Sequence, residues 1–150
     1  MVLEKFVSSS EGETINFGKE FAQNLKLGDV VAFFGDLGTG KTEFIKGICQ
    51  YFKVEDMVTS PTFTIMNRYN GIDPDNEIAI FHIDLYRIKN PEELGNIGFD
   101  ECMYSRSAIK LVEWAENAND MLPKAIYSVK ITADQKDENK RYISIEKESK

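Results

Sequence analysis

The sequence predicts an α/β fold, a mixed and mainly parallel central sheet between helical layers, with antiparallel hairpins at its margins. Three observations predict it. Val30–Phe34 is β-branched and aromatic, as a strand buried on both faces should be. The octapeptide Gly35-Asp36-Leu37-Gly38-Thr39-Gly40-Lys41-Thr42 follows at once and spells a complete GxxxxGK[ST] phosphate-binding loop. Residues 43–52 then repeat apolar side chains at helical spacing, so strand, glycine turn and helix stand in the order such a loop requires. At 150 residues the chain is read as one domain, 1–150, with room for a single well-buried core.

The elements follow in order. Residues 3–7 read as a short edge strand. Ser10 and Glu13 fit a capping box opening a helix that runs to about Leu25, with Ile15, Phe17, Phe21, Ala22 and Leu25 on one face. Gly28 and Asp29 turn the chain into the phosphate-loop strand. After the loop helix, residues 64–69 and 78–85 read as strands around the turn-forming cluster 70–76, an antiparallel unit. Asn90-Pro91-Glu92-Glu93-Leu94 starts a short helix with proline in its first turn, and residues 100–108 suggest another. Residues 109–113 form the next strand. The tail alternates over 126–132 and 141–145 around the polar run 134–140, a hairpin.

A phosphate loop implies a nucleotide triphosphate. Its glycines let the backbone curl round phosphates, the helix start supplies N–H groups, Lys41 reaches the β- and γ-phosphates, and the Thr42 hydroxyl ligates Mg²⁺. Such loops work beside an acid at a neighbouring strand end, and the sequence offers two: Asp84 after an apolar run, and Glu113 after another. One would hold Mg²⁺ while the other orients water, in either assignment. Thr62, in Ser60-Pro61-Thr62-Phe63, sits in a proline-stiffened turn where a threonine could sense the γ-phosphate. His82, the single histidine, lies inside an apolar strand and reads as a structural imidazole, and Trp114 as core or pocket wall. Arg87 either supports phosphate or pairs with Asp84 or Glu92.

Other features narrow the class. The net charge of −7 argues against tight, direct nucleic-acid binding. Cys49 and Cys102 have no metal-ligand spacing and read as buried, reduced thiols. With no stretch long enough to span a membrane and no signal-peptide pattern, a cytoplasmic location is expected. The sequence has no NKxD motif and no DxxG after Asp84, which favours ATP over GTP. A small-molecule kinase and a non-catalytic nucleotide-binding module are the alternatives to an ATPase, although the lid such kinases use to exclude water is not evident.

Taken in order, the phosphate loop, Ser60-Pro61-Thr62-Phe63, His82-Ile83-Asp84-Leu85-Tyr86-Arg87, Pro91-Glu92-Glu93-Leu94 with Gly98, and Val112-Glu113-Trp114 closely resemble the bacterial TsaE family, formerly YjeE. The match spans nearly the full length. The resemblance implies a P-loop NTPase-like three-layer α/β/α fold and a Mg²⁺-dependent ATPase serving threonylcarbamoyladenosine modification of tRNA adenosine 37. It also implies TsaB and TsaD as protein partners, with tRNA reached through their complex. Lys41 and the loop amides would hold ATP, Thr42 and Glu113 would bind Mg²⁺, and Asp84 would support hydrolysis. Thr62 resembles the family's switch threonine and Trp114 the tryptophan beside the nucleotide. Glu11, Thr14 and Arg141 become candidates for contacting base and ribose. Two residues depart from the family pattern: Glu43 where a second threonine is usual, and Ala115 where proline is common.

Overall fold

The computed structural model describes residues 2–35, 38–59, 66–123 and 126–148. Seven strands form one sheet: β1 (Val2–Ser8), β2 (Val30–Phe34), β3 (Met66–Ile72), β4 (Glu77–Asp84), β5 (Ala108–Glu113), β6 (Ile126–Ala133) and β7 (Arg141–Glu148). Their spatial order is β1-β7-β6-β2-β5-β4-β3. The four central strands β6, β2, β5 and β4 run parallel, while β3 closes one side antiparallel and β7 and β1 close the other. The mixed, mainly parallel sheet with marginal hairpins is the one expected.

Burial follows the pleat. Every residue of β5 is buried, and β2 is buried from Val30 to Phe33. Val31, Phe33, Ile109 and Leu111 point to one face, where helices α1 (Glu11–Ala22) and α2 (Lys41–Tyr51) bury Phe21, Phe44, Ile45 and Ile48 against them. Val30, Ala32 and Val112 point to the other, onto Leu94, Phe99, Met103 and Ala118. That second layer is thin. It consists of helix α3 (Phe99–Met103) and two 3₁₀ segments, Pro91–Ile97 and Ala115–Met121, the latter not anticipated.

The helices α1 and α2 touch backbone to backbone. A Cβ added at Gly47 would lie 2.8 Å from Lys19 N and 2.9 Å from the Ile15 carbonyl carbon, and one at Gly18 would lie 3.0 Å from the Phe44 carbonyl carbon. The two glycines face each other's helix, so each removes the side chain that would hold the pair apart. Ser10 caps α1 by accepting from Glu13 N at 3.1 Å, and Glu13 reaches back to Ser9 N at 3.2 Å. The capping box is therefore present with its return arm one residue early.

Several boundaries differ from expectation. α1 stops at Ala22 rather than Leu25, and the predicted helix 100–108 is only Phe99–Met103, because Ala108 already belongs to β5. The buried stripe of α1 is Thr14, Gly18, Phe21 and Ala22, with Ile15 and Phe17 half-buried at its flanks. β3 runs on to Ile72, into the cluster read as turn. Lys110, in the middle of β5, is fully buried at the amino edge of the sheet, where its ammonium donates to the carbonyls of Gly28 and Ser105. Those partners offset the cost of burying the charge, and burial holds its pKa below the usual lysine value.

Candidate phosphate-binding site

The carboxyl ends of β2, β5 and β4 lie side by side, the edge at which parallel α/β sheets bind ligands. β2 delivers the chain to the phosphate loop. Gly40 holds φ 104 at the start of α2, a conformation that favours glycine. The first N–H groups of that 11-residue helix therefore face the loop. At Gly35 space is also short, since a Cβ there would run into the Ile131 carbonyl oxygen and meet Thr39 Oγ1 at 2.9 Å.

Lys41 is 5% exposed. Its Nζ donates to the Gly35 carbonyl at 2.6 Å and sits 4.0 Å from the centroid of the Trp114 ring. A carbonyl and an aromatic face thus hold the ammonium over the loop. Trp114 reaches this position by leaving β5 with φ 56 and ψ 43, a left-handed conformation uncommon for a bulky residue and frequent at functional sites. Its ring also packs on Tyr86, with centroids 4.9 Å apart.

Strand register brings the two acids together. Asp84 is paired with Glu113 across β4 and β5, and Glu113 with Phe33 across β5 and β2. Alternation puts both carboxylates on the sheet face that carries α2. Asp84 is half-buried and accepts from Tyr86 N at 2.9 Å. Burial raises its pKa above the ordinary aspartate value; the Tyr86 N–H opposes the shift and the neighbouring Glu113 adds to it. Glu113 is 3% exposed and binds the fully buried His82, Oε2 to Nε2, at 2.6 Å. The expected structural imidazole is therefore satisfied, but by one of the two candidate acids.

Two cavities flank the loop. One, of about 290 Å³, is lined by Gly38, Thr39, Gly40, Lys41, Thr42, Glu43, Asp84, Tyr86, Glu113 and Trp114. The other, of about 300 Å³, is lined by Ser10, Glu11, Thr14, Gly38, Gly40, Glu43, Glu138, Asn139 and Arg141. They share Gly38, Gly40 and Glu43. The sequence-predicted residues thus divide into a phosphate-loop group with both acids, and a second group of Glu11, Thr14 and Arg141. Asp36, Leu37 and Thr62 lie outside the described residues.

Within the second cavity the roles are narrower than expected. The Thr14 hydroxyl is turned toward Ser8 Oγ at 2.7 Å and Ser10 O at 3.3 Å, so its methyl group faces the loop, 3.7 Å from a Cβ built on Gly40. Arg141 donates to Glu138 O at 2.6 Å and to Gly38 O at 3.2 Å, tying the β6–β7 connection to the phosphate loop. Tyr86, Glu138 and Asn139 line the cavities without having been assigned a role from sequence. Tyr86 could have been found from its place two residues beyond Asp84; the other two sit in a polar turn that carries no pattern. Arg87 is exposed and forms no ion pair with Asp84 or Glu92 among the described residues.

The donor set fits Mg²⁺. The Thr42 hydroxyl and the Asp84 and Glu113 carboxylates are hard oxygen ligands of the kind this ion takes in ones and twos, completing its shell with phosphate oxygens and water. A mixed, mainly parallel sheet with a glycine loop between strand and helix, a lysine at the helix start and acids on the adjoining strand ends defines a P-loop-type α/β protein.

The comparisons give the particular family. Residues 8–143 match the family model described as threonylcarbamoyl adenosine biosynthesis protein TsaE. Proteins named tRNA threonylcarbamoyladenosine biosynthesis protein TsaE are similar over much of their length. The Rickettsia typhi protein is 40% identical over 142 residues, 94% of this chain and 93% of that one; the Bacillus subtilis protein is 39% identical over 111 residues, 74% of this chain and 66% of that one. The fold is similar to the crystal structure of Bacillus subtilis YdiB, with a TM-score of 0.80, 30% identity and coverage of 99% of this chain and 88% of that chain. The chain belongs to the TsaE family.

Proposed function

We propose that this chain is a Mg²⁺-dependent ATPase, folded as one P-loop domain over 1–150, which serves threonylcarbamoyladenosine modification of tRNA in the cytoplasm together with TsaB and TsaD. The names of its relatives support the pathway. The observation that carries the chemistry is the pairing of Asp84 with Glu113 on adjoining strand ends, in one cavity with the phosphate loop.

In this reading the loop N–H groups and Lys41 bind the triphosphate, Lys41 exchanging the Gly35 carbonyl for phosphate oxygen. Thr42 and Glu113 hold Mg²⁺, which supplies charge neutralisation at the β- and γ-phosphates when bound. Asp84, whose burial favours taking up a proton, orients the attacking water. Trp114 and Tyr86 wall the cavity against bulk water, while Glu11, Thr14 and Arg141 border the space for ribose and base. The net charge of −7 makes an indirect action on tRNA, through partner proteins, the better fit.

Steady-state phosphate release tests the reading. Turnover should be weak for the isolated chain and rise when TsaB and TsaD are added, because a switch lacking its partners has an incomplete site. Full-speed hydrolysis that ignores the partners, or transfer of phosphate to a metabolite, would refute it.

A further inference from the structure

A carboxylate that is to meet a cation must be held, and Glu113 is held from inside the sheet. His82 Nε2 lies 2.6 Å from Glu113 Oε2, and the two side chains are 0% and 4% exposed. On the far side of the ring, Nδ1 lies 3.2 Å from the hydroxyl of Tyr69, itself 4% exposed. The register explains the line: Asn67 is paired with His82, and His82 with Leu111, so Tyr69 and Glu113 are its diagonal neighbours on the same face. With Nε2–H donating to the carboxylate, Nδ1 is left as an acceptor facing the Tyr69 O–H, whose one proton it shares with the Thr59 carbonyl. The Tyr69 hydroxyl also stands 3.2 Å from the Thr59 carbonyl, which accepts from Asn67 Nδ2 at 3.3 Å. Neither His82 nor Tyr69 lines the cavity.

We propose that His82 and Tyr69 are positioning residues for Glu113, fixing its carboxylate so that a nucleotide-borne divalent cation meets a preset oxygen. This rests on the reading of Glu113 as a Mg²⁺ ligand. A buried line of three polar side chains on three adjoining strands costs more to assemble than an apolar core, and here it ends on an acid that lines the cavity. Removing the imidazole would take away the hydrogen bond that Glu113 Oε2 makes inside the sheet.

The chain has a single tryptophan, Trp114, beside Glu113 in the cavity wall, and its fluorescence reports the site. The experiment titrates Mg²⁺ against the full chain saturated with a non-hydrolysable ATP analogue, and measures analogue affinity in EDTA and thermal stability alongside. Loss of an outer partner of a metal ligand typically costs 10–100-fold in metal affinity, so His82→Leu should raise the Mg²⁺ midpoint by about tenfold or more, with affinity in EDTA kept within about twofold. His82→Gln, whose amide N–H stands close to the place of Nε2–H, should return the midpoint to within about threefold of wild type, and Tyr69→Phe should shift it by about threefold. A purely structural role would lower melting temperature and leave the midpoint unmoved. Wild-type midpoints in folded His82→Leu or in Tyr69→Phe overturn the proposal, and Tyr69→Phe, which deletes one atom, decides the matter if His82→Leu does not fold. A wild-type chain showing no Mg²⁺-dependent response to the nucleotide would instead overturn the reading of the site itself.

Discussion

Gly47→Ala sets two effects against each other, and their sizes decide the sign. In the middle of an α-helix, alanine is favoured over glycine by about 1 kcal/mol. Against that, the new Cβ would sit 2.8 Å from Lys19 N and 2.9 Å from the Ile15 carbonyl carbon, both backbone atoms of α1 that no rotamer change can remove. Carbon contacts prefer about 3.5–4.0 Å, and the Ile15 carbonyl oxygen lies closer still, so α1 would have to retreat by about 1 Å or more. Overpacking a tight contact costs typically 1–3 kcal/mol, and a backbone clash belongs at the upper end. The net expectation is a loss of about 2 kcal/mol, which in a domain of this size lowers the melting temperature by roughly 4–8 °C. Urea unfolding followed by far-UV circular dichroism measures it, with Gly95→Ala as the control, since a Cβ there meets nothing within 4 Å. A Gly47→Ala chain as stable as wild type, or stabilised by the alanine preference, would refute backbone contact between α1 and α2.

The site yields further predictions. Lys41→Ala should abolish detectable nucleotide binding in calorimetry; retained affinity would remove the main support for a triphosphate site. Asp84→Asn keeps an oxygen for the Tyr86 N–H but removes the charge, and turnover should fall by about a hundredfold or more. Its effect on stability has a definite sign. The folded-state pKa of Asp84 is raised, so the native state binds the proton more readily than the unfolded chain, and ionised Asp84 costs stability near neutrality. The asparagine variant should therefore be more stable than wild type at pH 7, with the gap closing as pH falls through the raised pKa. Glu43 borders both cavities from the first turn of α2, where its carboxylate would compete with a bound phosphate for the helix N-terminus. Glu43→Gln should tighten ATP binding by about threefold to tenfold and leave adenosine unaffected, because a charge near a helix end is worth up to about 1 kcal/mol or somewhat more. Equal gains for both ligands would point to shape rather than charge. Cys49, buried and with its thiol pushed up to about 12, should react with thiol reagents in the native state far more slowly than half-buried Cys102.

How much was legible depended on whether the signal was local. Val30–Phe34 and the phosphate loop announce themselves, because a buried parallel strand and a glycine turn each need a distinctive run of residue types. Asp84 and Glu113 were found by their position after apolar runs, while their pairing rests on the adjacency and register of β4 and β5. The opposition of Gly18 and Gly47 was not legible, since nothing in either helix says which turns will cross. Nor was the tie between His82 and Glu113, because the residues are distant in sequence and only the register of three strands makes them neighbours. The helix predicted over 100–108 forms but is confined to Phe99–Met103, and Ala108 goes to β5, where burial in the central sheet outweighs local helical preference.

The placement of β7 between β1 and β6 has a consequence for synthesis. Leaving the ribosome, β1 is made first yet finds its partner only when Arg141–Glu148 has emerged, and the guanidinium that latches onto Gly38 arrives with that same strand. A nascent chain therefore carries its complete nucleotide signature while the second cavity, which Glu138, Asn139 and Arg141 border, is still unfinished. Until the β6–β7 hairpin closes, the edge of β6 that β7 covers is open, and it is the surface a chaperone would have to guard.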